Sequence, residues 1–249
     1  MLTPALDLAL SLDPAGLLSI AGLVSDEWQE RVLRSSSQRI LLNCSRQSGK
    51  STVSGVMALH TALYQPKSLV LLLSPTLRQS QELFRKVLSF YRLVADTLPP
   101  ESETRLTLEL GNGSRILSLP GKEGTIRGYS GVSLLVVDEA ARVPDELYYS
   151  VRPMLAVSGG RLIALSTPFG TRGWWYESWR SNEAWERYTI TAKQCPRITS
   201  EFLEEERRTL GEWWFRQEYE CQFLDSQTQA FTHDMVEHAF DYGVETWSL

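Results

Sequence analysis

Four short, predominantly apolar runs punctuate the first two thirds of the chain: Arg39 to Cys44, Ser68 to Leu73, Ser133 to Val137 and Arg161 to Leu165. Their apolarity is continuous rather than alternating, which predicts strands covered on both faces in a mostly parallel sheet flanked by helices. Residues 104 to 119 (TRLTLELGNGSRILSL) do alternate, and Gly-Asn-Gly between the two alternating halves predicts a hairpin. Upstream, SDEWQERVLRS reads as a helix with Ser25 at its N-cap and Trp28 in the core. Past Pro168 the character changes. Residues 185 to 195 suggest another strand, and residues 199 to 222 a helical pair broken near Gly211. The fold class is therefore α/β, with a core over 1–169, a smaller lid over 170–225 and a weakly structured tail over 226–249.

Composition narrows this picture without changing it. At 43% hydrophobic and 22% charged residues the chain has an ordinary globular balance. No apolar run approaches the roughly 20 residues that a membrane helix needs. The stretch Leu2 to Ile20 is interrupted by Asp7 and Asp13 and lacks a basic start, so neither a signal peptide nor a membrane segment is expected, and the cytoplasm is the expected compartment. Cys44, Cys195 and Cys221 are widely spaced, and His60, His233 and His238 form no ligand spacing with them. Buried, reduced thiols are expected, and any metal should be a hard cation held by oxygen. A net charge of −5 argues against coating nucleic acid by bulk electrostatics, although Arg85, Lys86, Arg92, Arg105, Arg115, Lys122 and Arg127 cluster locally.

Each of the four runs ends in distinctive chemistry: CSRQSGKS, SPT, DEAA and STP. Ligands of open α/β sheets bind at the carboxyl ends of the strands, so these segments should converge. Cys44-Ser45-Arg46-Gln47-Ser48-Gly49-Lys50-Ser51 matches the P-loop pattern, with Cys44 in place of the first glycine. A strand precedes it and a helical stretch beginning at Thr52 follows, the context in which amides and a helix N-terminus cradle phosphates. Lys50 would bind the β- and γ-phosphates of ATP and the Ser51 hydroxyl would ligate Mg²⁺. Asp138 and Glu139 end an apolar strand expected beside the P-loop strand. Asp138 would hold the Mg²⁺, in part through water, and Glu139 would orient or deprotonate the attacking water. A helix start is the competing reading of the two acids. The amide of Gln29 can pair with an adenine edge. Thr167, in Ser166-Thr167-Pro168, fits either a γ-phosphate sensor or a strand-ending turn.

The order WQ, SRQSGKS, SPT, VVDEAA and LSTPFG, closed by ERRTLGEWWFRQEYECQFLD, resembles the large terminase of tailed bacteriophages over about residues 24 to 231. The resemblance implies a RecA/ASCE-like P-loop ATPase that drives double-stranded DNA into a procapsid. It further implies a homo-oligomeric ring, a pentamer, docked on a portal protein in the host cytoplasm and working with a small terminase subunit. By the same resemblance Arg46 contacts the γ-phosphate, and Arg127 in TIRGYSG either enters a neighbouring subunit's site or orders its own loop. The family's nuclease domain is expected outside this chain, because residues 226–249 offer only scattered acids (Asp234, Glu237, Asp241, Glu245). A superfamily 2 helicase-like ATPase is the alternative, but too few residues follow Pro168 for a second RecA-like domain. The hairpin around Gly111 to Gly113, with Arg105 and Arg115, is the candidate for DNA contact.

Overall fold

A computed structural model describes residues 2–121 and 128–225, together with Met235 and Ala239. The expected tail over 226–249 otherwise lies outside the described residues, as do Lys122 and Arg127. The described chain forms helices α1 (Pro4–Leu12), α2 (Gly16–Ile20) and α3 (Glu27–Arg34), then strand β1 (Arg39–Cys44) and helix α4 (Lys50–Tyr64). There follow β2 (Leu69–Ser74), α5 (Leu77–Tyr91), β3 (Pro100–Glu103), β4 (Thr107–Leu110), β5 (Arg115–Pro120) and β6 (Leu134–Asp138). The last elements are α6 (Asp145–Val151), β7 (Arg161–Ser166), α7 (Gly173–Arg180), β8 (Glu186–Ile190) and α8 (Ser200–Glu218).

The strands form one eight-stranded sheet in the order β3-β4-β5-β2-β6-β7-β1-β8. From β5 to β8 every neighbouring pair is parallel, and β3 and β4 add an antiparallel edge. The four apolar runs are β1, β2, β6 and β7, within a residue of the predicted bounds. Their continuous apolarity is resolved by the pleat, since successive side chains enter opposite layers. Ile40, Leu42 and Cys44 join a core under α3, α4 and α5, whereas Leu41 joins one under α6 and α7. In the second layer Trp174 stacks on Tyr148 at 3.8 Å, and its indole N–H donates to the Val143 carbonyl at 3.0 Å. A buried indole thus keeps its polar atom satisfied.

Three expectations need correction. The strand carrying Asp138 does not neighbour the P-loop strand: β7 lies between β6 and β1 and pairs with both. The N-cap of α3 is Asp26, not Ser25; the Asp26 N–H donates to Gln29 Oε1 at 3.0 Å, and the Ser25 hydroxyl donates to Glu30 instead. The hairpin of β4 and β5 is present, but it is extended by β3, whose four residues are all exposed and so left no apolar signal. The break near Gly211 is present: this residue adopts φ 77° and ψ 163° inside α8, a left-handed φ that glycine tolerates. Strand β8 joins the main sheet beside β1, so the sheet continues into the segment expected as a lid. Among the described residues no helix is long and apolar enough to cross a membrane. All three cysteines are free and buried.

Candidate functional site

Parallel strands that share a direction place their carboxyl ends along one edge, and here β1, β6 and β7 deliver the P-loop, Asp138-Glu139 and Thr167 to it. Turning from β1 into α4 requires left-handed backbone at Gln47 (φ 59°) and at Gly49 (φ 92°), the N-cap of α4. The Ser45 N–H donates to the Ile190 carbonyl and the Arg46 N–H to the Glu218 carbonyl. These two amides anchor the loop, and the stretch that can turn amides toward a phosphate begins at Gln47. Beyond it stands the N-terminus of the 15-residue α4, a positive pole suited to an anion.

A cleft of about 370 Å³ opens on one side of this loop, lined by Arg46, Gln47, Lys50, Gln79, Glu139, Arg142 and Thr167. Across it Lys50 Nζ lies 2.9 Å from Glu139 Oε1. Glu139 holds a left-handed conformation (φ 50°, ψ 43°), which costs a non-glycine residue on the order of 1 kcal/mol or more. It also begins a 3-10 turn over Ala140–Arg142, so the helix-start reading holds geometrically while the carboxylate faces the cleft. Burial pulls the Lys50 ammonium down, but the Glu139 and Asp138 charges outweigh it and its pKa is raised. Asp138 is 6% exposed and its Oδ1 has no hydrogen-bond partner. Burial, then the charge of Glu139, pushes Asp138 up to about 6 against the pull of Lys50. A buried carboxylate oxygen without a donor fits a hard cation of the Mg²⁺ type, and Ser51, the other expected ligand, stands in the first turn of α4. Among the described residues no cluster of three or more His, Cys, Asp or Glu could hold a metal.

A second, larger cleft of about 630 Å³ lies on the other side of the loop, with Gln29, Gly49, Thr52, Asp26, Gln194 and Arg197 among its lining residues. Gln29 is buried, and its amide nitrogen presses on the loop: a Cβ added to Gly49 would meet Gln29 Nε2 at 2.8 Å. Gly49→Ala is therefore expected to destabilise the chain by about 1–2 kcal/mol, from the left-handed φ alone, and to weaken nucleotide binding. Melting curves with and without ATP read both effects. Arg197 closes this cleft, with Nη1 and Nη2 on the Asp26 carboxylate at 2.8 and 2.6 Å and Nη2 on the Ser48 carbonyl at 3.3 Å.

The expected site residues thus divide into two groups around the loop. Arg46, Gln47, Lys50, Glu139 and Thr167 share the smaller cleft, and Gln29, Gly49 and Thr52 the larger. Ser45 and Ser48 are buried within the loop, Ser51 and Asp138 line neither cleft, and Arg127 lies outside the described residues. Arg46 is exposed, and its Nε is held at 2.7 Å by the buried Glu218 of α8. Glu218, Arg197, Gln79 and Arg142 were not singled out in the sequence. Their partners lie far away in the chain or one turn beyond a motif, where no local pattern marks them.

The family model described as "Terminase large subunit, T4likevirus-type, N-terminal" matches residues 41–237. The chain is 24% identical over 241 residues to the terminase large subunit of Thermus virus P23-45, covering 82% of this chain and 50% of that one. It is 24% identical over 244 residues to that of Escherichia phage T5, covering 92% and 55% respectively. The chain thus spans about half the length of these relatives. Among solved structures, the large terminase ATPase domain of Thermus phage P74-26 superposes with a TM-score of 0.74 at 23% identity, over 83% of this chain and 97% of that one. The large terminase of another thermophilic bacteriophage, in complex with ADP, does so with a TM-score of 0.64 at 15% identity, over 80% and 54%. The chain belongs to the terminase large-subunit family, and its fold is that of the family's ATPase domain.

Proposed function

We propose that this chain hydrolyses ATP and uses the energy to move double-stranded DNA into a procapsid. The observation that carries the chemistry is the meeting of Lys50, Asp138 and Glu139 at the head of α4. The adenine and ribose occupy the larger cleft near Gln29, whose oxygen is engaged by the Asp26 N–H and whose amide nitrogen is left as the donor. The phosphates lie along residues 47–52 and enter the smaller cleft, where Lys50 leaves Glu139 to neutralise them. Ser51 and Asp138 would hold Mg²⁺, which would supply charge neutralisation for the phosphates. Glu139 accepts the proton of the attacking water and keeps it in line with the γ-phosphate. Arg46 exchanges Glu218 for the γ-phosphate, and Thr167 reports the loss of that phosphate to β7.

The same reading places the chain in a ring, a pentamer, on a portal protein, with Arg127 reaching the neighbouring site. An arginine supplied in this way contributes roughly 10³ to 10⁵ in rate. Family membership supports the DNA partner, and exposed Arg105, just before β4, and Arg115, at the start of β5, are the candidate contacts. Other basic residues nearby are already paired, Arg85 with Glu82 and Arg92 with Glu103. ATP turnover should be measured with and without duplex DNA, on this chain and on one spanning the full length of its relatives. Turnover should rise with DNA, and added salt should abolish the rise. A full-length protein whose turnover ignores DNA and which moves none into procapsids would remove the motor reading.

A further inference from the structure

The smaller cleft holds a third cation besides Lys50 and Arg46. Arg142 closes the turn that follows Glu139: its N–H donates to the Glu139 carbonyl at 2.8 Å, and its Nη1 lies 3.6 Å from Glu139 Oε2. The other carboxylate oxygen, Oε1, belongs to Lys50. One carboxylate is thus shared by two cations through different oxygens. The guanidinium also sits over the Phe169 ring, 4.6 Å from its centroid, two residues beyond Thr167. A planar guanidinium can stack by its face and donate by its edge, so the two contacts are compatible. Arg142 lines an adjoining groove as well, with Glu206, Glu218, Leu210 and Trp214. Glu218 is taken by Arg46 at 2.7 Å and Glu206 accepts from the Tyr219 hydroxyl at 2.7 Å, and the carboxylate paired with Arg142 is Glu139.

The sharing matters when a nucleotide enters. A polyphosphate carries several negative charges against the single one on Glu139, and the Lys50 ammonium goes with the larger charge. Glu139 then loses its closest cation while phosphate oxygens approach it. Among the described residues, Lys50 and Arg142 are the cations within ion-pair distance of Glu139. A guanidinium stays protonated in such a site, and this one is fixed by Phe169 rather than by the nucleotide. We propose that Arg142 is a positioning residue that retains Glu139 when Lys50 turns to the phosphates, so that the carboxylate stays aimed at the attacking water. The proposal rests on the assignment of Glu139 as the base.

Steady-state ATP hydrolysis by the 249-residue chain tests it, with melting curves to show that each variant folds. Arg142→Ala should lower kcat about 10- to 100-fold and leave KM within about twofold, because orientation rather than binding is lost. Arg142→Lys, which keeps the charge but not the planar face that rests on Phe169, should recover part of the rate. In a Glu139→Asp background, Arg142→Ala should cost much less than in the native chain, because the two residues act as a unit. An equal loss in both backgrounds, a rise confined to KM, or a native kcat in Arg142→Ala would each overturn the proposal. Glu139→Gln run in parallel separates the two levels. If that variant is inactive and Arg142→Ala is not, the positioning role fails alone; if it turns over normally, the assignment of the base fails and the proposal with it.

Discussion

Glu139→Gln is expected to bind ATP at least as tightly as the native chain and to hydrolyse it roughly 10² to 10⁴ times more slowly. The two halves of this expectation come from one contact. Glu139 holds Lys50 at 2.9 Å, so the carboxylate competes with the phosphates for their principal cation. Glutamine removes the competing charge while preserving shape, and ATP gains an unpaired ammonium. The amide cannot take a proton from water, so the gain in binding brings no chemistry. The left-handed backbone at Glu139 points the same way. Strain of this kind persists where the surrounding structure over-determines it, and here it directs the carboxylate into the cleft.

Asp138→Asn is expected to stabilise the cation-free protein at neutral and alkaline pH. Burial and the adjacent Glu139 charge raise the Asp138 pKa from 3.8 to about 6. A group whose folded-state pKa is raised contributes stability fully below its unfolded pKa and loses that contribution as pH rises through the folded value. Near pH 8 both states carry the charge, and the folded state bears a penalty on the order of 3 kcal/mol. Asparagine does not ionise, so the variant should gain up to about 3 kcal/mol over the native chain at pH 8 and close to nothing near pH 4. Urea melts of both proteins at the two pH values, with chelator present, would read this. A gain that grows toward acid would contradict the burial argument. Added Mg²⁺ and ATP should favour the native chain over the variant, because Asp138 Oδ1 has no partner within the protein.

How much of this was legible beforehand depended on whether the determinant was local. β1, β2, β6 and β7 announced themselves because burial on two faces demands apolar residues at every position, and that pattern survives in a single chain. The P-loop and Asp138-Glu139 were legible because strand, loop and helix follow one another within a few residues. The order of strands was not. Nothing in the segment Arg161 to Ser166 records that it inserts between β1 and β6, since strand order is set by how the crossovers pack. Asp26 displaced Ser25 as the cap because both residue types can cap and Arg197, 171 residues away, also holds the Asp26 carboxylate. Arg197 and Glu218 carry no local mark for the same reason, since each acquires its role from a partner that folding brings near. Arg142, by contrast, sits three residues beyond Glu139 in a turn that no motif marks, and owes only its Phe169 contact to the fold.

We propose that the cleft between the P-loop and β6 hydrolyses ATP through Glu139. The most direct test is phosphate release from Mg²⁺-ATP by the native chain and by Glu139→Gln, with ATP affinity measured on the same preparations. The expected result is turnover in the native chain and, in the variant, undiminished affinity with turnover reduced by roughly 10²-fold or more. Equal turnover in the two proteins would contradict the assignment.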